Sequence, residues 1–189
     1  MTSDNSTVDS TKTMTLEAFA DTIIPGEKRG PDDRAIAGVS SGGGAVASGA
    51  VELLETPAGG INEMLDSLVV ALNDHATAYA EERGLTLDEE VPPFVALEFA
   101  DRTALVMTLT APEHPEKELW VALVMFSNMA FDTGAHLPTA EAFAAGHPGL
   151  LTIGFERPDA DGVWRFPDFS YRRKLADLHP DTTPSGSPA

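Results

Sequence analysis

The stretch LEAFADTIIPG, residues 16–26, decides the fold that we predict for this chain. Its apolar residues recur at i, i+3, i+4 and i+7, the spacing of one face of an α-helix. They are Leu16, Phe19, Ala20 and Ile23. The helix should end at Pro25-Gly26, because proline lacks a backbone donor and glycine allows a turn. A buried first helix therefore leads into a shaped, glycine-bearing loop.

The helical period recurs along most of the remaining chain, which predicts an all-α protein. An apolar stripe over residues 61–79, followed by Arg83-Gly84, predicts a long helix with a basic last turn and a glycine cap. A further helix should start after Pro93 and reach residue 109, and a short one should cover residues 138–145. The run 116–131 is apolar on nearly every side, so we expect it to be the buried central helix of an irregular multi-helix bundle.

Composition divides the chain into four segments. Residues 1–14 and 181–189 are polar and are predicted to be disordered tails. Between them we expect a helical domain over 15–157 and an ordered, extended C-terminal arm over 158–180. The arm interleaves aromatic with basic residues, the composition of interface hot spots, so it should either fold back on its own bundle or dock onto another protein. Its candidate contact residues are Trp164, Arg165, Phe166, Phe169, Tyr171, Arg172 and Arg173.

The charge of the chain excludes several classes of partner. Twelve Lys and Arg against thirty Asp and Glu give a net charge of -18, which repels phosphate backbones, so we expect no nucleic acid partner. The absence of cysteine excludes disulfides, thiolate nucleophiles and cysteine-ligated metals. The longest apolar run, 119–131, is shorter than the roughly 20 residues of a membrane span. Residues 1–15 contain no export signal, which predicts a cytoplasmic protein unless a leader was removed.

Two short motifs in the glycine-rich region resemble catalytic sequences without their structural context. Ser40 lies in a G-x-S-x-G pattern over residues 38–42, but the strand that precedes a nucleophile elbow is missing. Gly42, Gly44 and Ala47 match a dinucleotide-binding fingerprint, which also requires an upstream strand. Small residues here favour a helix over 45–54 that allows a close crossing of two helices.

The histidines do not form a metal motif in the sequence. A di-iron bundle would need Glu-x-x-His, and no such pattern occurs. His75 has no ligand one helical turn away and is expected to be solvated, and His114 precedes a proline in a turn. His136 and His147 are too far apart for helical spacing to join them. The sequence therefore assigns no catalytic, cofactor-binding or metal-binding residue.

Residues 16–26, the looser stretch 37–54 and Phe99-Ala100-Asp101-Arg102 resemble the gluconate 2-dehydrogenase subunit 3 family. The resemblance implies a mostly helical, non-catalytic accessory subunit without a cofactor of its own. It further implies a partner, a large flavoprotein oxidoreductase of the glucose–methanol–choline type that carries FAD and acts on alcohols or sugars. On this reading Ile23, Ile24, Pro25 and Gly26 are candidate partner contacts.

Two alternatives remain open at this point. The chain could be an autonomous helical enzyme or a small-ligand-binding protein, with a pocket between the glycine-rich segment and the central helix. Met107, Met125, Phe126 and Met129 are the candidate lining residues. The chain could also form a homo-oligomer in which the arm exchanges between copies. Neither the substrate of a partner enzyme nor the stoichiometry follows from the sequence.

Overall fold

A computed structural model describes residues 2–155 of the chain, and within that range the protein is α-helical with no β-strand. The all-α, multi-helix fold class predicted from the sequence is therefore confirmed. The helices are α1 Thr2–Ile23, α2 Ala50–Glu55, α3 Leu65–Arg83, α4 Pro93–Ala96, α5 Phe99–Leu109, α6 Lys117–Thr133, α7 Thr139–Ala144 and α8 Pro148–Thr152. Short 3-10 turns at Pro57–Gly59 and Asn62–Met64 connect α2 to α3.

Helix α1 is the element around which the others are arranged. It packs against α2, α3, α4, α5 and α6. The predicted apolar face is buried, since Leu16, Phe19 and Ala20 are at most 1% exposed, and Ile23 packs against the same core. Ala18, on another side of the helix, is buried as well. The end predicted at Pro25-Gly26 is confirmed, because α1 stops at Ile23.

The run 116–131 does form a helix, but its place in the fold differs from the prediction. In the described residues α6 buries one face, which includes Trp120 and Leu123, while Met125 and Met129 are exposed. The apolar composition of α6 thus exceeds what the described part of the bundle covers. The central position belongs to α1, whose polar first turns concealed its length.

Helix α1 begins at Thr2, so it runs through residues 2–14 of the segment for which composition predicts a polar tail. The side chain of Lys12 lies 2.9 Å from Asp66 of α3, and Met14 packs against the main core. These contacts extend the helix upstream of the apolar stripe. Composition alone missed this because a helix that meets the core only near its C-terminal end keeps a polar N-terminal half.

Glycines let two backbone segments meet directly after α1. The N–H of Glu27 donates to the carbonyl of Gly42 at 2.9 Å, and the N–H of Ala45 donates to the carbonyl of Ile24 at 2.9 Å. A Cβ on Gly26 would lie 2.6 Å from the backbone nitrogen of Gly44, so no other residue fits this crossing. The helix predicted over 45–54 starts only at Ala50, and the residues before it form turns.

Two further boundaries differ from the prediction. The single helix expected after Pro93 is two helices, α4 and α5, because Leu97 and Glu98 adopt extended backbone conformations between them. A further helix that the sequence patterns do not predict, α8, follows Gly146, and its first turn is capped by the side chain of His147. The predicted helices ending at Arg83-Gly84 and covering 138–145 are confirmed as α3 and α7. Among residues 2–155, no helix combines the length and apolar character that crossing a bilayer requires.

Replacing Gly44 with alanine should destabilise the protein by about 3 kcal/mol, since its Cβ would collide with the carbonyl oxygen of Ile24. Gly30→Ala is the matched control, because a Cβ there meets no atom within 4 Å, and its effect should stay within about 0.5 kcal/mol. Urea unfolding of both variants measures the difference. Equal stabilities would contradict the backbone crossing.

Candidate functional site

Asp21, in the last turn of α1, closes the loop that follows the helix. Its side chain is 1% exposed and both carboxylate oxygens accept backbone hydrogen bonds. Oδ1 accepts the N–H of Gly26 at 3.0 Å, and Oδ2 accepts the N–H of Ala37 at 2.8 Å. One side chain therefore fixes two points of the loop that are distant in sequence.

Arg102, in α5, fixes the same loop from the other side. Its guanidinium is buried and donates to three backbone carbonyls at short distances, those of Leu97 at 3.0 Å, Ala35 at 2.7 Å and Val95 at 2.6 Å. A fourth, longer bond of 3.3 Å reaches the carbonyl of Arg34. This fan of acceptors accounts for the break between α4 and α5, because the extended backbone at Leu97 turns its carbonyl toward the guanidinium, which also binds the carbonyl of Val95 in α4.

The charge of Arg102 is retained in this buried position. Burial lowers the pKa of its guanidinium, and the carboxylates of Asp21 and Glu98 oppose that change by attraction. An arginine starts from a pKa above about 12, so the group remains a cation at neutral pH. Asp21 and Arg102 together hold the glycine-bearing loop between α1 and the junction of α4 with α5.

The first set of predicted partner contacts lies within this braced region. Ile23 packs against the main core, and Ile24 packs against a second small cluster that includes Ala45. Pro25 is half-buried and Gly26 is buried. These four residues are therefore largely engaged inside the molecule. The second set lies outside the described residues: Trp164, Arg165, Phe166, Phe169, Tyr171, Arg172 and Arg173.

A cleft of about 230 Å³ borders Arg102, with the loop on one side and the α4–α5 junction on the other. It is lined by three basic side chains, each of which already has a partner. Lys28 donates to the carbonyl of Asp33 at 3.1 Å, and Arg34 pairs with Asp88 at 2.6 Å. Arg102 is held by carbonyls, as above. The donors of these side chains are therefore already used within the protein, although only the charge of Arg34 is paired with a carboxylate.

The methionines predicted to line an internal pocket do not do so. Met107 is 69% exposed, Met125 is 57% exposed and Met129 is 37% exposed. Only Phe126 of the predicted set is half-buried, and it packs against the core clusters. Ser40, of the G-x-S-x-G pattern, is exposed in a bend without regular structure.

The structure brings together a serine and two histidines that the sequence left apart. The rings of His136 and His147 are 5.9 Å apart, and both lie beside the turn at Ser48 and Gly49. His147 Nδ1 accepts the N–H of Leu150 at 3.2 Å, so its proton is on Nε2, which donates to the carbonyl of Ser48 at 3.0 Å. Both ring nitrogens of His147 therefore already make hydrogen bonds. Neither is free to accept a proton from the Ser48 hydroxyl.

A second cluster joins His75 of α3 to the turn before α6. His75 Nε2 donates to Glu116 Oε2 at 2.9 Å, and the indole N–H of Trp120 donates to the same oxygen at 3.2 Å. The bond from His75 is the largest cause lowering the pKa of the Glu116 carboxyl. His114 lies against His75, with ring centroids 5.5 Å apart. The prediction of a solvated His75 is wrong, because its side chain is bonded to Glu116. Helical spacing does not reveal this contact, since it joins residues about forty positions apart.

The fold and this site define an all-α protein in which buried charged residues brace a loop and the four histidines of residues 2–155 lie in two clusters. The chain belongs to the Family of unknown function (DUF5987), whose model matches residues 10–189. Comparison with curated proteins and with solved structures gave no match.

Replacing Arg102 with lysine should lower the free energy of unfolding by about 3 kcal/mol. A single ammonium group cannot reach carbonyls arranged as a fan, so buried acceptors lose their donors. Arg34→Lys is the control, since the Arg34–Asp88 pair is solvent-exposed and its loss should leave the unfolding midpoint unchanged. Urea unfolding gives the midpoint of each variant. If Arg102→Lys unfolds at the same midpoint as Arg34→Lys, the bracing role of Arg102 is contradicted.

The stability of the protein should depend on the charge state of His136. Burial is the largest cause lowering the pKa of this imidazole below its ordinary value, and His147 adds to it while Glu52 opposes it. The unfolded chain therefore binds a proton at His136 before the folded chain does as the pH falls from about 7 to about 5, which favours unfolding.

Chemical denaturation at several pH values measures this contribution as a difference in slope. Between about pH 7 and about pH 5, the free energy of unfolding should fall more steeply for the native sequence than for His136→Asn. Parallel pH profiles for the two proteins would mean that folding leaves the pKa of His136 unchanged, which contradicts this prediction.

Proposed function

We propose that this protein is a non-catalytic accessory subunit that binds and stabilises, or helps to mature, a flavin-dependent oxidoreductase. The observation that carries the proposal is the exposed apolar stripe of α6, defined by Met125 and Met129. These side chains are one helical turn apart, 57% and 37% exposed, on a helix that is otherwise rich in buried apolar residues. Methionine is flexible and polarizable, which suits surfaces that adapt to a protein partner.

The distribution of polar groups supports a binding role over catalysis. In the described part of the chain, the most buried charged groups are Asp21 and Arg102. Both make their hydrogen bonds with backbone groups of the protein itself. His147 is likewise occupied at both nitrogens. A nucleophile needs an adjacent base with a free acceptor, and Ser48 has none at His147.

The class of partner comes from the resemblance to gluconate 2-dehydrogenase subunit 3. The stretches that carry it contain Asp21, Gly26 and Arg102, the residues that fix the loop after α1. From this resemblance we infer a role as the small subunit of a glucose–methanol–choline type enzyme acting on alcohols or sugars. FAD then belongs to the large flavoprotein, and this chain carries no cofactor for that reaction.

The aromatic and basic arm over residues 158–180 is the second contact that we propose. Four of the twelve basic residues of the chain lie between Arg165 and Lys174, beside Trp164 and Tyr171. Arginine and large aromatic residues are enriched in the energetically important parts of interfaces. The proposed location is the cytoplasm, where the flavoprotein would meet this subunit as it folds.

Co-expression with a flavoprotein of the glucose–methanol–choline type tests the proposal. The affinity-tagged flavoprotein should retain the untagged chain, and the complex should contain more bound flavin than the flavoprotein expressed alone. Met125→Glu with Met129→Glu places two charges in the stripe and should reduce retention at least about tenfold, a change of about 1.4 kcal/mol. Met107→Glu is the matched control, because Met107 is an exposed methionine on α5.

Each outcome has a distinct meaning. Retention lost in the double variant and kept in the control supports the stripe as the contact. Retention unaffected by either variant moves the contact to the arm, which deletion of residues 159–189 tests in the same assay. A flavoprotein that never retains the chain contradicts the proposal, and light scattering of the chain alone then distinguishes a homo-oligomer from an independent monomer.

A further inference from the structure

We propose that His75, His114 and Glu116 form a binding site for one divalent transition-metal ion of the Zn²⁺ class. One potential ligand atom from each of the three side chains lies within 4.8 Å of the others. His75 comes from the middle of α3, whereas His114 and Glu116 come from the turn that leads into α6. The site joins two parts of the fold and is independent of the proposed role as an accessory subunit.

The ligand types select the class of ion. Two imidazoles and one carboxylate form a set that binds Zn²⁺ and its neighbours, and that leaves a coordination position for water. Mg²⁺ and Ca²⁺ prefer oxygen ligands in larger number, so they compete weakly for such a site. The side chains of His75 and Glu116 are 33% and 42% exposed, which leaves the ion a path from solvent.

Neighbouring groups already orient two of the three ligands. The Trp120 side chain is fully buried below the cluster, and its indole N–H donates to Glu116 Oε2 at 3.2 Å. The ring of His75 meets Trp120 edge-on, with centroids 5.7 Å apart. Hydrogen bonds of this kind to a ligating carboxylate are typical of the outer layer of metal sites and strengthen binding.

Metal binding exchanges two hydrogen bonds for coordination. The proton that His75 Nε2 now donates to Glu116 lies where an ion would sit between these two atoms. His114 Nδ1 accepts the N–H of Glu116 at 3.2 Å, and ligation through either ring nitrogen of His114 gives up that bond. Binding through His75 Nε2 therefore places the imidazole proton on Nδ1, and it loosens one weak contact in the turn. In return it ties α3 to the start of α6.

The test titrates the untagged, full-length chain with Zn²⁺ by calorimetry in the presence of excess Mg²⁺. Magnesium occupies the weak carboxylate sites of this acidic protein and leaves imidazole sites free. We expect one equivalent of Zn²⁺, a raised unfolding temperature, and, with Co²⁺ in place of Zn²⁺, the visible absorption of a nitrogen-ligated ion.

His75→Gln and Glu116→Gln each remove a ligand while keeping a side chain that can make the hydrogen bond between α3 and the turn. Each should weaken Zn²⁺ binding at least about 100-fold, the upper end of what loss of an outer-layer partner causes. Glu118→Gln is the matched control, because Glu118 is exposed, two residues away, and loses the same charge. Circular dichroism checks that each variant is folded.

Binding of one Zn²⁺ that both ligand variants weaken and the control does not supports the site. The proposal is overturned if the native chain binds no Zn²⁺ above the magnesium background. It is also overturned if Glu118→Gln lowers affinity as much as Glu116→Gln, which indicates diffuse attraction to negative charge. If one ligand variant fails to fold, His114→Gln takes its place in the titration, and unchanged Zn²⁺ affinity in the folded variants overturns the proposal.

Discussion

The structure depends on two buried charges that hold one loop. Taking a charged group out of water costs several kcal/mol, and hydrogen bonds to charged groups each contribute about 1.5–3 kcal/mol. Asp21 receives two backbone donors and Arg102 donates to four carbonyls, so the full set offsets the cost of burial. Removal of a few of these partners would reverse that balance. The loop must therefore follow one path, and α1, α4 and α5 are fixed relative to it.

This constraint explains why sequence features that suggest chemistry have an architectural role here. The glycines after α1 allow segments 24–27 and 42–45 to touch, and the motif at Asp21 and Gly26 closes the turn. Arg102 binds carbonyls of its own chain, so it is not free to hold an anionic substrate. In the described residues, the methionine stripe of α6 and the polar cluster around His75 are accessible from solvent, and they carry the protein contact and the metal site that we propose.

The sequence predicted what depends on local periodicity and missed what depends on distant contacts. The face of α1 through Phe19 follows from helical spacing, and so does the glycine cap after Arg83. The break at Leu97 does not, because it results from carbonyls turned toward a guanidinium in the next helix. The proximity of His75 and Glu116 also depends on the packing of α3 against the turn before α6. The only part of this cluster that is visible in the sequence is the short segment His114-Pro115-Glu116. That segment alone does not indicate that His75 of α3 lies beside it.

Hydrogen exchange measured residue by residue by NMR tests the bracing of the loop most directly. If Asp21 holds the loop as described, the amide protons of Gly26 and Ala37 exchange as slowly as those in the buried part of α1, such as Phe19. They should share its free energy of opening, although they lie outside any helix. Exchange of Gly26 and Ala37 as fast as that of an exposed loop amide such as Asp32 would show that the loop opens independently of the core, and would contradict the account.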